Sequence, residues 1–158
     1  MKFVIEQIAV VPPEPVAAIA LLTAMGLEGW AKDHVCAIGR VFGEPTVSSA
    51  DLAFNYEATS SKPLEFEVLH YTHGKNWMQT HGPSTSHIGM HCSAAELEDW
   101  RAFFAARNID VAQEVNTTSH TNPVIDGKRF YTYVIFNTRP ILGVDCKFIV
   151  RRDVPQQG

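Results

Sequence analysis

Runs rich in Val, Ile and aromatic residues alternate with turn-forming residues and predict the secondary structure of the first half of the chain. The opening run KFVIEQIAVV (2–11) is typical of a strand that ends at Pro12 and Pro13. Strong helix formers follow from Glu14, and Gly26 stands where a left-handed cap ends a helix. Three further runs have strand composition and are separated by the turn sequences GEPT and TSSK. These predicted strands cover residues 34–43, 47–58 and 63–71.

The same order of elements returns after a polar linker. The short apolar run HIGMHC (87–92) predicts a strand, and Ser93 with Glu96 has the sequence signature of a capping box. Apolar residues at three- and four-residue spacing then predict a helix to about Arg107, with Asn108 as its C-cap. Three more strands are predicted at residues 111–120, 128–137 and 142–152.

The chain therefore divides into two units of equal organisation. The first βαβββ module covers residues 1–72, the linker 73–86, the second βαβββ module 87–152 and a tail 153–158. This repeat is one of element order, since the two halves do not repeat each other's letters.

The last predicted strand of each module has one apolar and one mixed face, because side chains alternate along a strand. Leu64, Phe66 and Val68 share the apolar face of the first of these strands, and Cys146 and Phe148 belong to that of the second. The mixed faces carry Glu65, Glu67, Leu69 and Tyr71 in the first module, and Asp145, Lys147, Ile149 and Arg151 in the second. Two interpretations follow: the mixed faces meet water, or they face each other around a cavity.

Composition and charge narrow the classes of function. The chain has 158 residues, 46% of them hydrophobic and 19% charged, which is typical of a globular protein. Its net charge of −4 without a basic block gives no support for nucleic-acid binding. No apolar run is long enough to predict a membrane span, and three widely spaced cysteines predict reduced thiols. We therefore expect a cytoplasmic protein with no membrane or nucleic-acid partner.

Several motifs in the correct order resemble the vicinal oxygen chelate superfamily, which includes glyoxalase I, fosfomycin- and bleomycin-resistance proteins, methylmalonyl-CoA epimerase and extradiol dioxygenases. HIGMHC with its capped helix resembles the opening of the family's second module, and EQIAVVPPEP resembles the opening of the first. LEFEVLHY is similar to the last strand of the first module. The resemblance implies an α+β fold in which the two modules form a curved, partly open barrel-like sheet with helices outside. It also implies a homodimer.

The resemblance implies a metal site, and this sequence departs from the family pattern at one position of that site. Gln7, Glu67 and His87 stand where the family places three ligands of a divalent cation. Lys147 stands where the family usually has a glutamate that ligates the metal and often acts as the base. An ammonium group repels a cation, so we expect Lys147 to form an ion pair with Glu67 in its place. The implied cofactor is either one divalent cation (Zn, Ni, Mn or Fe) or none.

Further candidates line the predicted cavity. Glu67 and Lys147 are the candidate catalytic residues, and four others are candidates for binding a small-molecule substrate: Tyr71, Trp77, His91 and Arg151. Trp77 lies in the linker, where it is expected either to cover the cavity mouth as a lid or to pack in a small cluster. Tyr131 and Tyr133 share a strand face and are expected either in a pocket or in the outer core.

Two functions remain open from the sequence. The first is a small-molecule binding protein with a degenerate metal site, as in the drug-sequestering branch of the family. The second is a metal-dependent lyase, isomerase or transferase of glyoxalase type that acts on a substrate with vicinal oxygens. Glyoxalase I and extradiol dioxygenase activities are not expected, because Lys147 occupies the base position and the two-histidine, one-carboxylate set is missing.

Overall fold

The structure, a computed structural model, describes residues 1–58 and 64–155. The predicted turn at residues 59–62 and the end of the predicted tail, 156–158, lie outside the described residues. Within the described ranges, the order strand, helix, three strands occurs twice, as the sequence predicts, with one unpredicted helical turn before the last strand of the second module. The strands are β1 (Gln7–Val11), β2 (Ala31–Val41), β3 (Glu44–Asn55), β4 (Glu65–His73), β5 (Ser84–His91), β6 (Val111–His120), β7 (Arg129–Phe136) and β8 (Asp145–Asp153). The helices are α1 (Pro15–Ala24), α2 (Ala94–Ala105) and the single turn α3 (Arg139–Leu142).

Several boundaries differ from the prediction; among them, most of the predicted turn GEPT belongs to β3. Two differences concern the start of the first module and the junction between the modules. The strand β1 begins at Gln7, because the residues before it leave the sheet and Phe3 packs on Trp100 of α2, with ring centroids 6.1 Å apart. The connection between the modules is shorter than residues 73–86, since β4 extends through His73 and β5 begins at Ser84. Only a short 3-10 turn, Trp77–Thr80, stands between them.

The eight strands form a closed barrel in the order β1-β4-β3-β2-β6-β7-β8-β5. The expectation of a partly open sheet is therefore wrong. Both joins between the modules, β2 with β6 and β1 with β5, are antiparallel ladders with one bulge each. Because these ladders satisfy the strand edges of both modules, no edge in the described barrel is left to make an opening.

The two modules have the same register, which places chemically different residues at equivalent positions. In the first module Gln7 pairs with Glu65, so Ala9 pairs with Glu67 two rungs further on. In the second module His87 pairs with Asp145, so Gly89 pairs with Lys147. Gln7 therefore corresponds to His87, and Glu67 to Lys147.

The alternation predicted for the last strands separates two apolar cores. Phe148 and Cys146 of β8 face outward and pack with Leu97, Trp100 and Phe104 of α2. The second core fills one end of the barrel interior and consists of Val35, Val41, Ala50, Leu52, Leu69, Trp77, Met78, Ala112 and Ile135. Helix α1 also lies outside the barrel but has no buried side chain. The polar residues opposite Cys146 and Phe148 are thus left to line the lumen.

None of the helices in the described ranges combines the length and the apolar character that crossing a membrane requires.

Candidate functional site

Four polar side chains from four strands meet inside the barrel, as the sequence predicts. Gln7 Oε1 lies 2.8 Å from His87 Nε2, and Glu67 Oε2 lies 3.2 Å from the same nitrogen. Lys147 Nζ lies 3.5 Å from Glu67 Oε2. All four residues are buried, with at most 5% of their surface exposed. These four residues form one polar network.

His87 is held by groups on both ring nitrogens. A β-bulge places the extra residue Ser86 opposite the step from Ala9 to Val10, and Ser86 Oγ lies 2.8 Å from His87 Nδ1. Because Nε2 faces two acceptor oxygens, it carries the hydrogen, and Nδ1 accepts from the serine hydroxyl. Burial and the Lys147 ammonium lower the pKa of His87 to about 4, so its imidazole is neutral near pH 7.

The predicted Lys147–Glu67 ion pair is present. Burial by itself raises the pKa of Glu67, but the Lys147 ammonium and the His87 hydrogen bond outweigh it and lower the pKa to about 2. Lys147 Nζ also lies 4.5 Å from the centroid of the Tyr133 ring, within the range of a cation–π interaction. The buried carboxylate and ammonium thus compensate each other.

Gln7 connects the polar network to a second carboxylate. Its Nε2 donates to Glu65, whose pKa is raised by burial and by the Glu67 charge. Gly89 on the neighbouring strand leaves room for this arrangement, since a Cβ there would lie 3.1 Å from Gln7 Oε1 and 3.3 Å from Gln7 Cβ. Burial, together with Glu65, raises the pKa of Tyr56 to about 12.

The polar network does not fit a divalent cation as it stands. The spacing of Gln7, Glu67 and His87 is short enough for shared ligation, but His87 Nε2 carries a hydrogen and Glu67 is paired with an ammonium. Lys147 would repel the ion from the fourth position. Among the described residues, no three His, Cys, Asp or Glu side chains form a group that could hold a metal ion.

The lumen contains two chambers that share Lys147, Tyr133 and Leu52 in their walls. The inner chamber has a volume of about 40 Å³, which is room for a few water molecules, and Glu67 and His87 face it. The outer chamber, at the opposite end, has a volume of about 240 Å³ and includes exposed residues such as Tyr56 and Val124 in its rim. The larger chamber is therefore the one that has room for an organic molecule.

The closed end of the lumen is built around Asp145, which is fully buried. Trp77 Nε1 donates to Asp145 Oδ2 over 3.0 Å, and the Arg139 guanidinium lies 3.1 Å from the same oxygen. Trp77 is fully buried and lines only the inner chamber. This position does not match a lid at the mouth of the larger chamber. It does not match a small separate cluster either, since Trp77 belongs to the main interior core.

The other predicted binding residues do not lie together in one chamber. Tyr71 lines the inner chamber and accepts a hydrogen bond from Gln113, and burial raises its pKa. His91 stands at the rim of the outer chamber, 3.2 Å from Glu6. Arg151 lines neither chamber: it is exposed and paired with Asp153 at 2.7 Å, although its cross-strand neighbour Tyr131 lines the outer chamber. Tyr131 and Tyr133 line the outer chamber, with rings stacked at 5.7 Å.

Sequence reasoning missed a buried pair in the outer chamber, Asp33 and His120. Thr117 of β6 faces inward, and strict alternation would turn His120 outward. Thr118 is instead an extra residue between the rungs Ala37–Thr117 and Cys36–Ser119, and this bulge returns His120 to the lumen. The polar run NTTSH at the end of a strand was the one local signal.

Comparisons with known proteins give the fold and no function. No family model matches the chain, and no curated protein matches it. The crystal structure of the hypothetical protein BH1468 from Bacillus halodurans C-125 is similar, with a TM-score of 0.50 over 98% of each chain and 10% sequence identity. At this identity the likeness extends to the arrangement of the chain alone.

Proposed function

We propose that this chain is a small-molecule binding protein of the vicinal oxygen chelate type, with its ligand in the outer chamber. The observation that carries the proposal is the chamber of about 240 Å³, open to solvent and bounded by the buried Lys147. Binding pockets in proteins combine apolar and aromatic walls with polar groups that fix the orientation of a ligand, and this chamber offers both, with about half of its lining residues polar or charged. The equivalent registers of the two modules support the family assignment.

The walls indicate the chemistry of the ligand. Phe54, Tyr131 and Tyr133 offer aromatic surface, while Lys147 and Arg129 offer N–H donors. Lys147 has three donors, and its partners in the described structure are one Glu67 oxygen and the Tyr133 ring. The chamber therefore suits a small, flat molecule that carries a carbonyl, phenolate or carboxylate oxygen.

The metal-dependent alternative has less support from the residues present. In that function a cation would sit among Gln7, Glu67 and His87 and would polarise a substrate oxygen. The Lys147 ammonium already supplies a positive charge to Glu67 at 3.5 Å. Because the ammonium takes the place of the cation's positive charge, Glu67 stays ionised without a metal. Small-molecule binding is therefore the function that Gln7, Glu67, His87 and Lys147 support best.

Ligand-observed NMR with benzoate, catechol and phenylpyruvate tests the proposal. We expect at least one of these flat, oxygen-bearing probes to bind the natural protein. The variant Ala31→Phe places a ring in the outer chamber and should abolish binding. Its matched control is Ile38→Phe, which adds a ring on the outward face of the same strand and should leave binding unchanged. Binding that survives Ala31→Phe, or binding of none of the probes, would contradict the proposed site.

A further inference from the structure

Asp33 and His120 form a buried pair in the outer chamber, apart from the polar network. Asp33 Oδ2 lies 2.7 Å from His120 Nδ1, and their side chains are 3% and 1% exposed. Both residues line the outer chamber, and neither contacts Glu67 or His87. The binding function proposed above makes no use of them.

The hydrogen bonds of Asp33 determine which ring nitrogen of His120 has the lone pair. Asp33 Oδ1 accepts from the backbone N–H groups of Thr121 and Asn122, each over 2.9 Å. This anchored carboxylate accepts the Nδ1–H of His120, which leaves the lone pair of a neutral ring on Nε2. Thr117 Oγ1 accepts from the backbone N–H of Tyr131 over 2.9 Å and lies 3.2 Å from Nε2, so its hydroxyl must turn away before Nε2 can accept a proton from a ligand.

The same chamber carries the groups that a proton transfer requires besides a base. Lys147 provides a positive charge for an oxygen on which negative charge develops. Tyr131 packs against the His120 ring at 5.8 Å and stacks on Tyr133, which gives a flat ligand an aromatic wall beside the base. A histidine base oriented by a carboxylate and facing a cation across a pocket is an arrangement suited to acid–base chemistry.

We propose that the outer chamber catalyses proton transfer at a carbon next to a carbonyl group, with His120 as the base and Asp33 as its positioning residue. The inference rests on the proposed function, since the substrate must bind in that chamber. The substrate class is an aryl-substituted carbonyl compound with an acidic C–H bond, which the tyrosine wall and Lys147 would hold. No metal takes part in the step.

The step balances without a further reactant. His120 Nε2 takes the proton from the carbon, the C–H electron pair forms a C=C bond, and the carbonyl π pair moves to the oxygen beside Lys147. The imidazolium then returns the proton to the oxygen, giving the enol, or to the carbon. In D2O the return to carbon leaves deuterium in the substrate.

Phenylpyruvate serves as the probe, because its enol absorbs in the ultraviolet and its C3 hydrogens are visible by NMR. We expect the natural protein to accelerate both enol–keto conversion and deuterium uptake over buffer. His120→Gln should lower the rate above buffer by about 100-fold or more, as the loss of a general base does. The matched control is His34→Gln, which removes a histidine paired with Asp51 at the same 2.7 Å on the outward face of β2 and should change the rate less than about twofold.

Further measurements separate this inference from the binding function. Nitrogen-15 NMR should show His120 with hydrogen on Nδ1 in the natural protein and a shift of that hydrogen toward Nε2 in Asp33→Asn. Binding of phenylpyruvate without exchange would overturn the inference and leave the binding function standing. Exchange that persists in His120→Gln, in a protein with unchanged thermal unfolding, would also overturn it, as would the absence of both binding and exchange.

Discussion

The pair of Lys147 and Glu67 places two opposite charges in the barrel interior, where little of either side chain is exposed. Both side chains are at least 93% buried, so either charge left alone would be poorly solvated. The pair also controls which other molecules the polar network can accept.

Removing the ammonium should destabilise the fold and change its pH dependence. The pKa of Glu67 is about 2, below its ordinary value of 4.5, so its contribution to stability is present above pH 4.5 and is lost as the pH falls toward 2. Lys147→Met raises this pKa, and we expect the free energy of unfolding at pH 7 to fall by about 3–5 kcal/mol. Urea denaturation at pH 7, 4.5 and 3 measures both effects.

The double variant Lys147→Met with Glu67→Gln removes both charges and should recover part of the loss. Lys32→Met, at an exposed position of β2, should leave the unfolding curve unchanged. Equal unfolding free energies for Lys147→Met and Lys32→Met would show that the buried pair has no energetic role.

Replacing the lysine by a carboxylate should convert the polar network into a metal site. Lys147→Glu supplies a fourth ligand beside Gln7, Glu67 and His87 and removes the repelling charge. We expect isothermal titration with Ni²⁺ and Mn²⁺ to give at least tenfold tighter binding to the variant than to the natural protein. A full equivalent of metal that the natural protein keeps through dialysis would instead support the metal-dependent function.

Protonation of His87 should weaken the fold at mildly acidic pH. Its pKa in the folded protein is about 4, below the ordinary 6.5, so the unfolded chain binds the additional proton between these values. The contribution of neutral His87 is therefore complete above pH 6.5 and falls by about 3 kcal/mol as the pH drops to 4. We expect His87→Gln to flatten the unfolding free energy between pH 6.5 and 4, relative to His34→Gln. Parallel curves for the two variants would contradict this.

At the scale of elements, the two helices contribute unequally although both were predicted from the sequence. Helix α2 has the predicted capping box, in which Ser93 and Glu96 hydrogen-bond to each other's backbone, and it buries Leu97, Trp100 and Phe104. Helix α1 buries none of its side chains, and Leu21 is 64% exposed. The fold therefore depends on the apolar stripe of α2.

This difference predicts that truncating an apolar side chain lowers the free energy of unfolding more in α2 than in α1. Trp100→Ala should lower the free energy of unfolding by about 3–5 kcal/mol, because Trp100 packs on Phe148 with ring centroids 5.1 Å apart. Leu21→Ala should change it by less than about 0.5 kcal/mol. Urea denaturation at pH 7 compares the two, and a similar loss for both would mean that the α1 face is covered in solution.

At the scale of the whole molecule, the barrel closes within one chain through the β1–β5 and β2–β6 ladders. The resemblance to the vicinal oxygen chelate superfamily predicts a homodimer. Since one chain supplies all four residues of the polar network and both chambers, binding in the outer chamber should not need the second copy.

We expect sedimentation to give a mass of two chains at micromolar concentration. Ligand-observed NMR with the probes above should give the same affinity for the dimer and for the single chain that dilution produces. Affinity that disappears together with the dimer would indicate that the barrel closes between chains.

Much of the fold was predictable because it depends on local patterns. The order of elements follows from alternation, helix periodicity and caps. Counting by twos along β4 and β8 put Glu67 and Lys147 on the mixed faces of these strands, which left open whether the faces meet water or a cavity. The resemblance to a two-module family supplied the expectation that the two residues face each other and pair, and the equivalent registers of the modules agree with it.

Tertiary pairing decided the rest of the site. The Thr118 bulge, which exists only where β6 meets β2, turns His120 into the lumen and brings it to Asp33. Arg151 has the inward parity of Lys147, yet it lines neither chamber, because its guanidinium is exposed and paired with Asp153 on the same strand. The sequence by itself determined which residues alternate along the strands and which residues cap the helices. Contacts between residues far apart in the chain decided the rest: closure of the barrel, the division of its lumen and the position of Trp77 at the closed end.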